Sequence, residues 1–213
     1  HPQLGAIPPD QVIDVAESTG LIWPLTEWTL QRAVNDARTW QQRGHPVRVA
    51  VNLSARLLQD VNLIERFTAC LEACGAGTDL LSLEITESAI MSDPERALKN
   101  ALTLSALGVH LSIDDFGTGY SSLSYLRKLP ANELKIDKSF VMEMLVQDND
   151  LLIVKSTIEL AHTLGLKVVA EGVENEAILA RLRALGCDFA QGYHISRPLP
   201  QQKMLHWLTE RSQ

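Results

Sequence analysis

The sequence predicts an α/β fold of the TIM-type β/α barrel, from three observations. Six short segments rich in β-branched or apolar residues alternate with segments that have the composition of helices. A dozen or more residues separate consecutive strands, which allows parallel pairing through crossover helices. Nearly every strand also ends in a charged or amide side chain. The six predicted strands span 47–54, 80–86, 109–116, 133–137, 167–173 and 188–192.

Two of the helices carry clear boundary signals. Asp93 and Pro94 have the order of an N-cap and a proline at the first helical position, and this helix is predicted to end at Gly108. A second helix is predicted over 151–164, ending at Gly165. Parallel strands joined in this way form either an open doubly wound sheet or a closed barrel.

The polar strand ends favour the barrel. A doubly wound sheet binds its ligand at one switch point, so few strands contribute, whereas a barrel draws its site from many strand ends at one face. One such residue alone is more often a satisfied hydrogen bond or a helix N-cap, but a set spread over six strands indicates a ring. Its members are Asn52, Glu84, Asp114, Asp115, Lys135, Asp137, Glu171 and Gln191.

The carboxylates in this ring predict bound metal ions. Burying several carboxylates together without counter-charge is too costly, so those that face one cavity imply cations within it. Oxygen ligands without histidine or cysteine indicate Mg²⁺ or Mn²⁺ rather than zinc. The adjacent pair Asp114 and Asp115 indicates two ions, which together stabilise the attacking and leaving oxygens of a phosphoryl displacement. The carboxylates concerned are Glu84, Asp114, Asp115 and Glu171.

Lys135 has two interpretations on the residues alone. It either orients the attacking water and neutralises developing charge, or it is an inward lysine paired with Asp137 or Asp114 for structure. A strand-end lysine beside acids in a barrel also fits a Schiff-base aldolase or an enolase-type lyase.

Composition excludes several other classes. The 213 residues carry a net charge of −7, which argues against binding of polymeric nucleic acid, since that needs a basic patch. No apolar run approaches the roughly 20 residues that span a bilayer. The three cysteines form neither a disulfide framework nor a zinc pattern.

Seven segments carry a family resemblance that covers nearly the whole chain. They are IPPDQVIDVAESTGLI at 7–22, VNLSA at 51–55, LEITES at 83–88, IDDFGTGYSSLSYL at 113–126, LKIDKSF at 134–140, VVAEGVE at 168–174 and QGYHISRPLP at 191–200. Together they resemble the EAL-domain phosphodiesterases that hydrolyse cyclic di-GMP. The combination of IDDFGTGYSS, AEGVE and QGY is highly specific.

The resemblance also implies roles for individual residues. The implied metal ligands are Asn52, Glu84, Asp114, Asp115 and Glu171. The implied catalytic residues are Lys135 and Asp137, which serve the nucleophilic water, together with Glu171. The implied contacts to the dinucleotide are Arg56, Glu174 and Gln191. Glu87 resembles the family glutamate that holds the loop after the Asp-Asp strand, here 116–122, where Gly117 and Gly119 suit a mobile lid.

One family feature is missing from the sequence. The Glu-Ala-Leu motif that names the family is absent, and His1-Pro2 resembles the segment that follows it. Six strands also leave a closed eight-stranded barrel two short. We therefore expect residues 1–213 to form a single EAL-type domain that is N-terminally incomplete, with the first two strands and the motif's glutamate upstream of His1.

The resemblance implies metal-dependent hydrolysis of cyclic di-GMP to linear 5′-pGpG in bacterial second-messenger signalling, with two Mg²⁺ or Mn²⁺ ions. The alternative is a catalytically inactive receptor domain that binds cyclic di-GMP and passes the signal to a partner. The resemblance further implies a homodimer and fusion to upstream cyclase or sensory domains. We expect a cytoplasmic domain, and a tether to the inner membrane through segments outside this chain stays open.

Overall fold

The computed structural model describes residues 3–75, 77–119 and 123–211, and the predicted strands are present in them. The strands are β1 (Val49–Asn52), β2 (Leu81–Thr86), β3 (His110–Phe116), β4 (Glu133–Ile136), β5 (Lys167–Ala170) and β6 (Phe189–Ala190). The helices are α1 (Pro9–Thr19), α2 (Ile22–Gln42), α3 (Ala55–Leu58), α4 (Leu63–Cys74), α5 (Glu87–Ser92), α6 (Pro94–Ala106), α7 (Leu123–Leu126), α8 (Lys138–Glu143), α9 (Asp148–Thr163), α10 (Glu176–Ala184) and α11 (Gln201–Arg211).

The strands form one parallel sheet in the order β1-β2-β3-β4-β5-β6. A doubly wound sheet would reverse direction at a switch point, whereas consecutive order is that of a barrel wall. The sheet curls into a half-barrel with helices outside, which confirms the predicted fold class. All carboxyl ends of the strands therefore meet at one face.

Side chains alternate between two environments along each strand. In β2, Leu81, Leu83 and Ile85 join the core shared with the outer helices. Ser82 and Glu84 point the other way, toward side chains of β3 and β4. The barrel interior is thus polar, and the apolar core lies between sheet and helices.

Four strands end earlier than the sequence predicts, β1 by two residues, β4 by one, β5 by three and β6 by two. β5 stops at Ala170, and β6 covers only Phe189 and Ala190. Beyond them Gly192 passes so close to Val173 that a Cβ atom at Gly192 would lie 2.2 Å from the Val173 carbonyl oxygen. This close passage replaces regular pairing, although the Val173 amide still donates to the Gln191 carbonyl at 3.0 Å.

The predicted helix boundaries hold for α6 and are wrong by three residues for α9. The Asp93 carboxylate caps α6 by accepting from the Arg96 amide at 3.2 Å. Helix α9 starts at Asp148 instead of residue 151, because Asp148 and Asp150 add a favourable acidic first turn. Across the described residues, no helix combines the length and the apolar character that a membrane span needs.

Candidate functional site

Lys135 lies at the centre of the strand-end ring. Its Nζ atom is 2.7 Å from Oε1 of Glu84 on β2, 3.0 Å from Oδ1 of Asp114 on β3, and 2.6 Å from Oε1 of Glu171 after β5. Only 4% of Lys135 is exposed. A single ammonium group therefore joins carboxylates from three neighbouring segments, and these contacts are hydrogen-bonded as well as ionic.

Burial and charge together shift the pKa values of these groups. Burial lowers the pKa of Lys135, but the carboxylates of Glu84, Glu171 and Asp114 outweigh it, so the net shift is upward and the ammonium is retained. Burial also raises the pKa values of Glu84 and Glu171, and the contacts with Lys135 only partly offset this. The cluster therefore holds a surplus of negative charge that further positive charge would stabilise.

A bulge in β3 places two adjacent carboxylates on the same side. The register between β3 and β4 shifts between Ile113 and Phe116, and Asp115 adopts a left-handed backbone with φ of 53°. Regular alternation would have sent Asp114 and Asp115 to opposite faces. Burial raises the pKa of Asp115, and the charges of Asp114, Asp137 and Glu171 raise it further.

Three carboxylates are close enough to share a metal ion. Oxygens of Asp114, Asp115 and Glu171 all lie within 4.8 Å of one another. This donor set fits Mg²⁺ or Mn²⁺, because it offers only hard oxygen ligands. Glu84 lies outside this group and reaches it through Lys135. Asn52 pairs with Glu84 in the β1-β2 register and is exposed.

Asp137 is one of the two structural partners predicted for Lys135, but among the described residues the carboxylates that pair with this lysine are those of Glu84, Asp114 and Glu171. The Asp137 carboxylate instead caps α8 by accepting from the Ser139 amide at 2.9 Å, and the Ser139 hydroxyl also donates to it. The other predicted partner, Asp114, does contact Lys135. The negative charge of Asp137 still reaches the site, since it acts on Asp115.

Glu87 contacts the loop that follows β3. It is buried in the first turn of α5, and its Oε2 atom accepts from the Gly117 amide at 2.9 Å. On the other side of the loop the Phe140 ring lies against Gly117, where a Cβ atom would be 3.0 Å from it. The predicted lid covers 116–122, of which 120–122 lie outside the described residues. Sequence reasoning missed Phe140, and its position one turn after β4 was the available signal.

The three predicted substrate contacts are exposed at the same face. Arg56 lies on α3, directly after β1, and its guanidinium donates to the Glu17 carbonyl of α1 at 2.5 Å. Glu174 follows β5 and Gln191 follows β6, and both are exposed. None of the hydrogen bonds or ion pairs found in the described residues joins these side chains to the Lys135 cluster.

Sequence reasoning did not single out Glu133, although it lies inside the barrel. Glu133 precedes Lys135 by two residues on β4, so strand alternation puts both on the same face. The Ser112 hydroxyl donates to Glu133 Oε1 at 3.3 Å. The available signal was the period of two, which extends the polar ring one layer deeper.

Comparison with known families gives one match along most of the chain. The model of the family described as EAL domain matches residues 1–198. Among curated proteins, the bifunctional diguanylate cyclase/cyclic di-GMP phosphodiesterase MucR of Pseudomonas aeruginosa is 45% identical over 206 residues, which are 96% of this chain and 30% of MucR. The cyclic di-GMP phosphodiesterase NbdA of the same species is 46% identical over 201 residues, which are 94% of this chain and 26% of NbdA.

Solved structures share the fold. The PaMucR phosphodiesterase in complex with c-di-GMP superposes with a TM-score of 0.91 at 45% identity, covering 96% of this chain and 83% of that one. The EAL domain of Mycobacterium smegmatis DcpA gives 0.80 at 37% identity, covering 87% and 84%. The chain spans less than a third of the full length of MucR and of NbdA.

Proposed function

Because the chain belongs to the EAL domain family, we propose that it hydrolyses one phosphodiester bond of cyclic di-GMP, giving linear 5′-pGpG, with two Mg²⁺ or Mn²⁺ ions. The observation that carries the proposal is the group formed by Asp114, Asp115 and Glu171, whose oxygens lie within 4.8 Å of one another at the carboxyl ends of the strands.

The metal ligands in this proposal are Asn52, Glu84, Asp114, Asp115 and Glu171. Bound ions supply Lewis-acid stabilisation of the reacting phosphate and lower the pKa of the attacking water. The surplus negative charge around Lys135 supports this assignment, since the pKa values of Glu84 and Glu171 stay raised mainly by burial even with the lysine present.

The chain's own residues have distinct tasks around the reacting phosphate. Lys135 keeps its proton beside Glu171 and so offers a fixed positive charge that orients the water and neutralises charge developing on the phosphate. Asp137, which caps α8, contributes a carboxylate that can accept the proton of the water. At the rim, Arg56 offers a cation for a phosphate, and Glu174 and Gln191 offer acceptors and donors for the guanine edges.

The protonated lysine argues against an aldolase. A Schiff-base lysine must present a neutral amine, which proteins obtain by burying it away from carboxylates or beside another cation. Lys135 is in the opposite environment, because three carboxylates within 3.0 Å raise its pKa. Borohydride should therefore trap no carbonyl compound on Lys135.

Turnover and binding must be measured separately to test the proposal. We expect the purified chain, and the longest form that its gene encodes, to convert cyclic di-GMP into a linear dinucleotide in Mn²⁺ buffer, as followed by anion-exchange chromatography. Glu171→Gln should abolish product while calorimetry still detects nucleotide binding. A matched control, Glu95→Gln on α6, should keep the rate.

Tight nucleotide binding without product in either form would instead establish a receptor domain. A homodimer, fused upstream domains, a cytoplasmic location and a membrane tether also remain proposals. Sedimentation at several concentrations tests the first of them directly.

A further inference from the structure

The barrel interior contains a carboxylate that the proposed chemistry does not use. Glu133 is half-buried on β4, and its neighbour across the sheet is Ser112 of β3. Ser112 is 1% exposed and donates to Glu133 Oε1 at 3.3 Å. Glu133 is therefore fixed in the layer directly below Lys135, on the side away from the mouth of the barrel.

This layer belongs to a polar interior that continues downward from the ring. On β2 and β3 the inward positions below Glu84 and Asp114 are Ser82 and Ser112, and the Ser82 hydroxyl is 3.1 Å from Nδ1 of His110. Serine and histidine carry no negative charge here. Glu133 thus places a carboxylate one layer below Lys135 on the same face of β4, whereas the three carboxylates that contact the ammonium come from β2, β3 and the segment after β5.

The charge of Glu133 acts on the groups above it. Burial raises the pKa of Glu133, while the Ser112 hydrogen bond and the charges of Lys135 and Arg48 oppose this shift. In return, the Glu133 charge is one of the smaller influences that raise the pKa of Glu84. Lys135 and Glu84 are therefore both within electrostatic reach of Glu133.

We infer that Glu133 is a positioning residue whose negative charge offsets the Lys135 ammonium from below and so lets the carboxylates above it attract a divalent cation. The inference rests on the proposed function. Without this charge, the lysine would compete more strongly for Glu84, Asp114 and Glu171 and would repel an incoming cation more strongly. Both effects have the same sign, and each weakens metal binding.

Direct metal binding tests the inference without relying on turnover. Glu133 and Lys135 are two residues apart on one strand, with about 7 Å between their Cα atoms, and at that distance one unit charge changes the free energy of another by the equivalent of about tenfold in affinity at an effective dielectric of about 35, between those of the interior and of water. We expect Glu133→Gln to weaken Mn²⁺ binding about tenfold in calorimetry and in titrations of free Mn²⁺ by electron paramagnetic resonance. Glu133→Asp keeps the charge and should recover most of the affinity.

Two control variants separate charge from packing. Ser112→Ala removes the hydrogen bond but keeps the carboxylate, and Glu95→Gln removes one exposed charge from α6. Both should bind Mn²⁺ within about twofold of the unchanged chain, and thermal unfolding should show that all variants are folded at the assay temperature.

The possible outcomes are distinguishable. Equal Mn²⁺ affinity in Glu133→Gln and the unchanged chain would overturn the inference alone, as would an equal loss in Glu133→Asp. Mn²⁺ binding with the expected variant pattern but no hydrolysis would overturn the proposed function alone. Absence of Mn²⁺ binding by the unchanged chain would overturn both.

Discussion

Replacing Lys135 with methionine removes the ammonium that three carboxylates share and keeps a side chain of similar length. The carboxylates of Glu84, Asp114 and Glu171 are then left together with side chains that are 11%, 11% and 16% exposed. Removing one partner of a buried ion pair costs about 3–5 kcal/mol. For a domain of this size, that loss lowers the midpoint of thermal unfolding by about 6–20 °C.

The size of the loss should depend on pH. A carboxylate whose pKa is raised on folding destabilises the fold when it is charged, and this penalty decreases as the pH falls through its folded-state pKa. Burial raises the pKa values of Glu84 and Glu171 already, and loss of Lys135 removes the main opposing charge. The Lys135→Met variant should therefore lose most stability at pH 8 and less at pH 5.

Urea unfolding at pH 5 and pH 8 measures both effects. A matched control is Lys167→Met, since Lys167 is 2.6 Å from Asp188 but its side chain is 64% exposed. Exposed pairs contribute about 0–1 kcal/mol, so this control should change little. A loss below about 1 kcal/mol in Lys135→Met at pH 8, or the same loss at both pH values, would refute the reasoning.

Three further predictions concern single carboxylates. Asp115→Asn should stabilise the fold by about 1 kcal/mol in urea at pH 7, because asparagine tolerates the left-handed backbone and carries no charge for the neighbouring carboxylates to repel. The same variant should weaken Mn²⁺ binding. A destabilised variant would contradict this prediction. The pKa of Asp188 is lowered to about 2, so the stability that its charge provides is full above pH 3.8 and is lost as the pH falls toward 2. Asp188→Asn should cost about 1–2 kcal/mol of unfolding free energy at pH 7, and its stability should no longer fall between these pH values. An unaltered fall would show that Asp188 is not the group responsible. Glu87→Ala should speed hydrogen exchange of the Gly117 amide, whereas Glu87→Gln keeps an acceptor and should not; equal rates in both variants would show that this bond does not hold the loop.

The strand positions could be predicted from local sequence because burial on both faces imposes apolar runs such as LLSLEIT at 80–86 and KVVA at 167–170. The end of each strand was less predictable where a distant contact decides it. β6 is two residues long because Gly192 passes against Val173, a residue from the preceding crossover. Nothing in the segment 188–192 by itself indicates that contact.

In the candidate site, too, some features follow from the sequence and others depend on contacts between distant segments. Carboxylates at the ends of parallel strands must meet at one face, so the cluster around Lys135 follows from strand order alone. The left-handed backbone of Asp115 depends on the register between β3 and β4, which local sequence does not contain. The bond from Arg56 to the Glu17 carbonyl likewise depends on how α1 packs beside α3.

The bulge in β3 also sets a length scale. Residues on the same face of a regular strand are about 6.6 Å apart, whereas adjacent Cα atoms are separated by about 3.8 Å. By turning Asp114 and Asp115 to one side, the bulge lets adjacent residues bring carboxylate oxygens within 4.8 Å of each other. Paired ions in phosphoryl-transfer sites are separated by about 3.5–4 Å, so one irregular residue gives adjacent carboxylates a common side of the strand, which suits a pair of ions better than ligands from residues two apart.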